Sequence, residues 1–268
     1  MSVLDQGELY PSHCRAVGRS ASFLKSVTLD DLVEHLAPND AVTASIATVR
    51  KVAQACMAMG MLVPDPDNDL NLCVADEWIS GLGEDSTSED FMLCVSRNMT
   101  EDNSELGTLF VLSRWVLKSE PFSSMIGFEE AIKEEFEDNE RPFAPNVTQQ
   151  SQALRWLNYM GLVTVLGNLY VPDMTRWLEI WLRGQQKTSK ESFETFWDEM
   201  KRDFPLLGGV DTSPLPASIG LAMGAIQRRG KCQWEDMPDT DAPIFTWLDI
   251  ASKTRCSHVT WTCGGVGA

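Results

Sequence analysis

The chain has 268 residues, of which 43% are hydrophobic, and 39 acidic against 22 basic side chains give it a formal net charge of −17. No apolar run approaches the roughly 18 residues that span a bilayer, and the N-terminus lacks a basic-then-apolar leader, so the composition excludes a membrane protein and favours a cytoplasmic one. The acidity is uneven: residues 1–80 carry 5 basic and 11 acidic side chains, residues 81–145 carry 5 and 15, and residues 146–268 carry 12 and 13.

Leu9 to Leu24 predicts a first helix, with Cys14, Val17, Ala21 and Leu24 at helical spacing. Thr28 is a good N-cap for a second, Leu29 to Leu36, where Asp30 and Asp31 face the positive end of the dipole. Pro38-Asn39-Asp40 stops it, and Ala41 to Gly60 predicts a third helix with Ile46, Ala53 and Cys56 inward. Met59-Gly60 then leads into Met61-Leu62-Val63, an acidic tip from Pro64 to Asp69, and a return strand, Leu70 to Val74. Helix, helix, helix, hairpin is the order of a winged helix-turn-helix, with the third helix as the recognition element.

Trp78 to Ser104, with its acidic, hydroxyl-rich run Glu84 to Asp90, is expected to be a loop with one anchored patch, Phe91 to Val95. Leu106 to Leu117 and Phe128 to Phe136 predict two more helices. Asn146 to Asp173 then repeats the earlier plan: a helix with Val147, Leu154, Leu157 and Tyr159 inward, Met160-Gly161, a strand to Leu166, a Gly167-Asn168 turn and Leu169-Tyr170-Val171. Helices from Met174, from Ser192 to Phe204 and from Leu215 to Arg229 follow, with strands at Lys231 to Trp234 and Ile244 to Leu248, a degenerate third copy of the order. The tail from His258 is expected to fray.

The expected fold is therefore mainly α (α+β): tandem winged helix-turn-helix domains, each with three helices and a β-hairpin wing. Its expected boundaries are 1–80, an acidic linker 81–105, 106–173, and a C-terminal helical domain 174–268.

Winged helices meet DNA with the third helix in the major groove and the wing on phosphate. The candidate contacts are Thr48, Arg50, Lys51 and Gln54 on the first module, Gln149, Gln152 and Arg155 on the second, and Arg228, Arg229 and Lys231 beside the third wing. Amides read adenine edges and cations meet phosphates. Each face is only weakly cationic, and Asp65, Asp67 and Asp69 at the first wing repel phosphate, so protein binding competes with DNA binding as the reading.

Enzyme signatures are absent from the sequence: three histidines are scattered, and no HExxH, GxSxG, P-loop or GxGxxG in its strand–helix context occurs. Cys256-x-His258-x4-Cys263 offers three zinc-capable side chains without a CxxC pair, and the carboxylates from Glu134 to Glu140 lie along a helix rather than converging, so no metal and no cofactor are expected. Seven cysteines, an odd number at apolar positions, are expected to be free buried thiols. The tryptophans at 115, 156, 177, 181 and 197 recur among apolar residues and are expected in cores or interfaces.

The opening Met1-Ser2-Val3-Leu4-Asp5, the segment Thr28 to Pro38 (TLDDLVEHLAP) and the long helix into Met59 to Asp65 (MGMLVPD) resemble the DpdG-type accessory proteins. These are encoded with bacterial systems that insert 7-deazaguanine derivatives into DNA and restrict foreign DNA. The resemblance implies a non-catalytic partner of helicase- or ATPase-class subunits in phage defence, with no catalytic residues to transfer. The expected function is a non-enzymatic adaptor that binds protein subunits of such a complex, with double-stranded DNA as a further candidate partner; the alternative is a dimeric winged-helix regulator on operator DNA.

Overall fold

The structure is a computed structural model that describes residues 9–37, 43–100, 106–119, 147–166, 169–185, 189–208, 210, 215–235, 244–246 and 253–261. The protein is mainly helical with small antiparallel sheets. The first part carries α1 (Pro11–Leu24), α2 (Leu29–Leu36), α3 (Thr43–Ala58), β1 (Leu62–Asp65), β2 (Asn68–Val74), a 3-10 turn (Asp76–Trp78), α4 (Ile79–Leu82), α5 (Ser88–Asn98) and α6 (Gly107–Lys118). Then follow α7 (Val147–Tyr159), β3 (Val163–Leu166), β4 (Leu169–Pro172), α8 (Thr175–Gly184), β5 (Ser189–Ser192), α9 (Phe193–Asp203), α10 (Ala217–Arg228), β6 (Cys232–Glu235), β7 (Ile244–Thr246), β8 (Lys253–Arg255) and β9 (His258–Trp261). The predicted helix at Phe128 to Phe136 and the Gly167-Asn168 turn lie outside the described residues.

Two compact units emerge, divided within α6 between Val111 and Leu112 and again between Tyr159 and Met160. In the first, Pro11 pre-sets the opening turn of α1, and Thr28 caps α2 by accepting the Asp31 N–H at 3.1 Å. The helices close on Cys14, Val17, Ala21, Leu32, Val33, Val52, Ala53 and Cys56, all buried, whereas Ile46 is half-buried. Gly60, at φ 75°, turns the chain from α3 into β1. Both strands reach further than expected: β1 and β2 run through the acidic tip and pair down to Asp65 opposite Asn68 after a bulge, so the six-residue tip of the sequence reading contracts to a tight turn. An isolated bridge from Val27 to Leu72 adds a third edge to this ladder.

The expected loop from Trp78 onward is instead helical. Thr87 accepts the Asp90 N–H and Asp90 Oδ2 accepts the Thr87 N–H, a capping box that starts α5, whose Phe91, Met92, Cys94 and Val95 are buried. Short α4 packs on α1 because residue 18 is glycine: a Cβ there would stand 2.7 Å from Leu82 Cδ1. Arg15 and Arg19 of α1 donate to the carbonyls of Ser86 and Glu84, each at 2.7 Å, fastening the intervening turn.

The second unit is built around aromatic rings. Trp177 and Trp181 stack one helical turn apart, Phe204 covers Trp177 at 4.3 Å, and Phe196 meets Trp181, Trp234 and Trp261. Each fully buried ring of this size removes about 150–250 Å² from water, roughly 4–6 kcal/mol of transfer free energy, so this cluster outweighs the unit's surface ion pairs. Gly161, at φ 71°, precedes the β3–β4 hairpin, in which Thr164 faces Val171 and Leu166 faces Leu169.

Two expectations fail in this unit. The strands anticipated as a third wing do not pair with each other: β6 pairs with β9 and β7 with β8. The tail anticipated to fray supplies β9, the central strand of the sheet β5-β9-β6, with Val259 and Trp261 buried on one face. β5 had no counterpart in the sequence reading, because Ser189-Lys190-Glu191-Ser192 shows no apolar alternation.

Candidate functional site

The candidate contacts separate by environment once the helices are phased. On α3, Lys51 and Gln54 face solvent, while Thr48 and Arg50 are half-buried. Arg50 Nη2 lies 2.6 Å from Asp30 Oδ1 of α2, so this cation is committed to a carboxylate of its own unit. At the hairpin, the side-chain hydrogen bond from Ser26 and then the Asp67 N–H hold the Asp65 carboxyl below its ordinary range, so it stays ionised there. Asp67 and Asp69 are exposed beside it.

On α7 the phase differs from the one expected. Gln152, expected to read base edges, is 0% exposed, and its amide donates to the Leu9 carbonyl at 3.1 Å. Trp156 Nε1 donates to the same oxygen at 3.1 Å. Ala153, Trp156 and Leu157 are buried, while Leu154 is half-buried. A buried amide without a partner costs more than one satisfied by a carbonyl, so this orientation is fixed by the Leu9 acceptor rather than offered to a ligand. Arg155 is exposed but engaged: its guanidinium lies 4.8 Å over the Tyr10 ring and donates to Gln152 Oε1 at 3.0 Å. Gln149 is half-buried.

In the second unit Arg229 pairs with Glu179 of α8, and Lys231 Nζ stands 3.4 Å from the same carboxylate. Burial pushes the Glu179 carboxyl up, but the two cations outweigh it and leave its pKa below the ordinary value. Arg228 is exposed at the end of α10. The ten candidates are thus spread over three separate stretches of chain, and three of their cations are paired with carboxylates, Arg50 with Asp30 and Arg229 and Lys231 sharing Glu179.

The cysteine reading is matched among the described residues, where Cys14, Cys56, Cys94, Cys232 and Cys256 are free and buried and Cys73 is free and half-buried. Burial raises the thiol pKa of Cys56, Cys94 and Cys232, which suppresses the reactive thiolate. Among the described residues no three metal-capable side chains gather, and Cys263 lies outside them. No described helix is long and apolar enough to cross a membrane.

A family model described as DpdG-like matches residues 1–219. The chain belongs to the DpdG-like family. The DpdG-like match takes in the α3 and α7 faces and ends within α10, before Arg228, Arg229, Lys231 and the sheet strands β6 and β9. Membership in the DpdG-like family fits an accessory role in a multi-component DNA-modification system. No curated protein and no solved structure matches the chain.

Sequence reasoning missed α5, although its signal was present: Thr87-x-x-Asp90 before the apolar run from Phe91 is a capping-box pattern. It also missed the Leu9 carbonyl as the partner of Gln152 and Trp156, since nothing local links residues 143 and more positions apart.

Proposed function

We propose that the protein is a non-enzymatic winged-helix accessory subunit of a DNA-modification and restriction complex of the phage-defence kind. In this reading it is an adaptor that holds protein partners of the helicase or ATPase class and works in the cytoplasm. The supporting observation is the first helix–helix–helix–hairpin unit, whose wing carries Asp65, Asp67 and Asp69 and whose Arg50 is tied to Asp30. Phosphate binding needs free cations at those places, whereas a protein partner tolerates or prefers carboxylates.

Fluorescence anisotropy with duplex DNA over a salt series tests this, comparing the wild type with Arg50→Ala/Lys51→Ala and with Arg155→Ala. The expected result is negligible binding even at low salt, together with stoichiometric co-purification of an NTPase-class subunit from the encoding cell. Strong binding with a steep salt slope that flattens by about one per lost cation would overturn the adaptor reading. A symmetric dimer protecting one operator would replace it with the transcriptional-regulator reading.

A further inference from the structure

Helix α8 buries Trp177, Leu178, Ile180, Trp181 and Leu182 and leaves Arg176, Glu179 and Arg183 as its outward side chains. Spaced at i, i+3 and i+7, they form one stripe on a helix anchored by its stacked tryptophans. Arg183 Nε donates to the Glu179 carbonyl at 3.4 Å, which keeps its guanidinium beside that stripe. Helix α10 packs on α8, and Gly230, at φ 68°, reverses the chain after it. Arg229 before that glycine and Lys231 after it therefore both reach the Glu179 carboxylate, Lys231 Nζ at 3.4 Å. Four cations thus gather around one carboxylate in a chain whose formal net charge is −17. Pairing does not hide them: the Glu179 side chain is 15% exposed, whereas those of Arg229 and Lys231 keep 53% and 43%. The carboxylate sits inside and positions the cations, and the outward charge is positive.

We infer that this patch of Arg176, Arg183, Arg229 and Lys231 docks an acidic segment, rich in aspartate or glutamate, of a protein partner. The inference rests on the adaptor reading and names the chemistry of its partner. A guanidinium takes a carboxylate through two parallel hydrogen bonds, so three arginines suit carboxylate side chains. A duplex suits the patch less well. It carries a charge about every 1.7 Å of its axis, and the part lying beyond the patch meets the repulsion of a strongly negative chain. A short acidic segment stays within roughly one screening length, about 10 Å at 0.1 M salt, and so feels chiefly the four local cations.

The test uses the full chain and a fluorescein-labelled peptide of about twelve residues in which glutamate alternates with glycine and serine. Peptides with glutamine or lysine in place of glutamate, and duplex DNA, serve as comparisons, all by fluorescence anisotropy at low salt. Binding of the glutamate peptide should weaken as salt rises. Arg176→Gln/Arg183→Gln should weaken it roughly tenfold, with the Glu179 pairs left in place, and each single substitution about threefold. Lys25→Gln/Lys118→Gln, an equal charge change at exposed positions elsewhere, should alter it less than about twofold. Circular dichroism checks the fold of each variant. Absence of glutamate-peptide binding, equal binding of the glutamine peptide, equal loss in the Lys25→Gln/Lys118→Gln variant, or tighter duplex binding that needs Arg176 and Arg183 would each overturn the inference. A native NTPase-class partner whose co-purification ignores Arg176→Gln/Arg183→Gln would likewise remove this patch while leaving the adaptor reading in place. Wild type that holds the glutamate peptide but retains no such partner would overturn the adaptor reading alone.

Discussion

Asp30 holds Arg50 across the α2–α3 contact at 2.6 Å, which pairs one of the two cations of the third helix and leaves Lys51 as the other. Both side chains are substantially exposed, so the pair contributes little to stability. Asp30→Asn should leave the unfolding free energy measured in urea unchanged within about 1 kcal/mol. The same substitution releases the guanidinium. Combined with Asp67→Asn and Asp69→Asn, it should raise duplex DNA affinity several-fold at low salt, and the gain should vanish as salt rises.

Gln152→Ala separates a structural amide from a base-reading one. Its side chain fills a buried position and donates to the Leu9 carbonyl, so removal should cost about 1–3 kcal/mol in urea denaturation and leave nucleic-acid affinity untouched. Unchanged stability with lost DNA binding would return Gln152 to the contact face. Trp156→Phe, which keeps most of the ring volume but removes the second donor to the same oxygen, should cost less.

Thr87→Ala removes one half of the capping box and should destabilise by about 1 kcal/mol. The loss should be local. Amide hydrogen exchange should accelerate first in the opening turn of α5, at Glu89, Asp90 and Phe91, before it changes in α1 or α3.

Glu179 links α8 to Arg229 and Lys231, and its pKa is lowered in the folded state. A carboxyl with a depressed folded pKa adds stability that is fully present above its unfolded value and is lost as pH falls through the folded one. Glu179→Gln should therefore lower stability at neutral pH, and the difference from wild type should shrink as pH drops below about 4.5, the ordinary value for glutamate. A difference that stays constant down to strongly acid pH would show that the cations are not the cause.

Local chemistry was legible and long-range pairing was not. Thr28, Gly60 and Gly161 act over a turn or less, so the sequence placed α2, α3, α7 and the two hairpins to within two residues or so at most ends. The phase of α7 went astray because an amide reads as polar from sequence alone, whereas the Leu9 carbonyl makes a buried Gln152 favourable. At α5 the density of Ser, Thr, Glu and Asp concealed a cap that uses those residue types. Of the candidate contacts, Lys51, Gln54 and Arg228 occupy exposed positions, while Arg50, Arg155, Arg229 and Lys231 met partners that no spacing rule announces.

Strand β9 is the centre of its sheet although it comes last in the chain. β5 and β6 both take β9 as their ladder partner, with Lys190 and Gln233 each registered against Thr260, so neither finds that ladder until residues 258–261 have been synthesised. Closing that sheet brings together segments some seventy and some thirty residues apart, pairings whose cost is loop closure rather than local propensity. A chain cut at residue 219, where the DpdG-like match ends, would leave Phe196 without the rings of Trp234 and Trp261 that it meets. The family match therefore stops inside a packed unit, and residues past 219 complete a core that the matched residues begin.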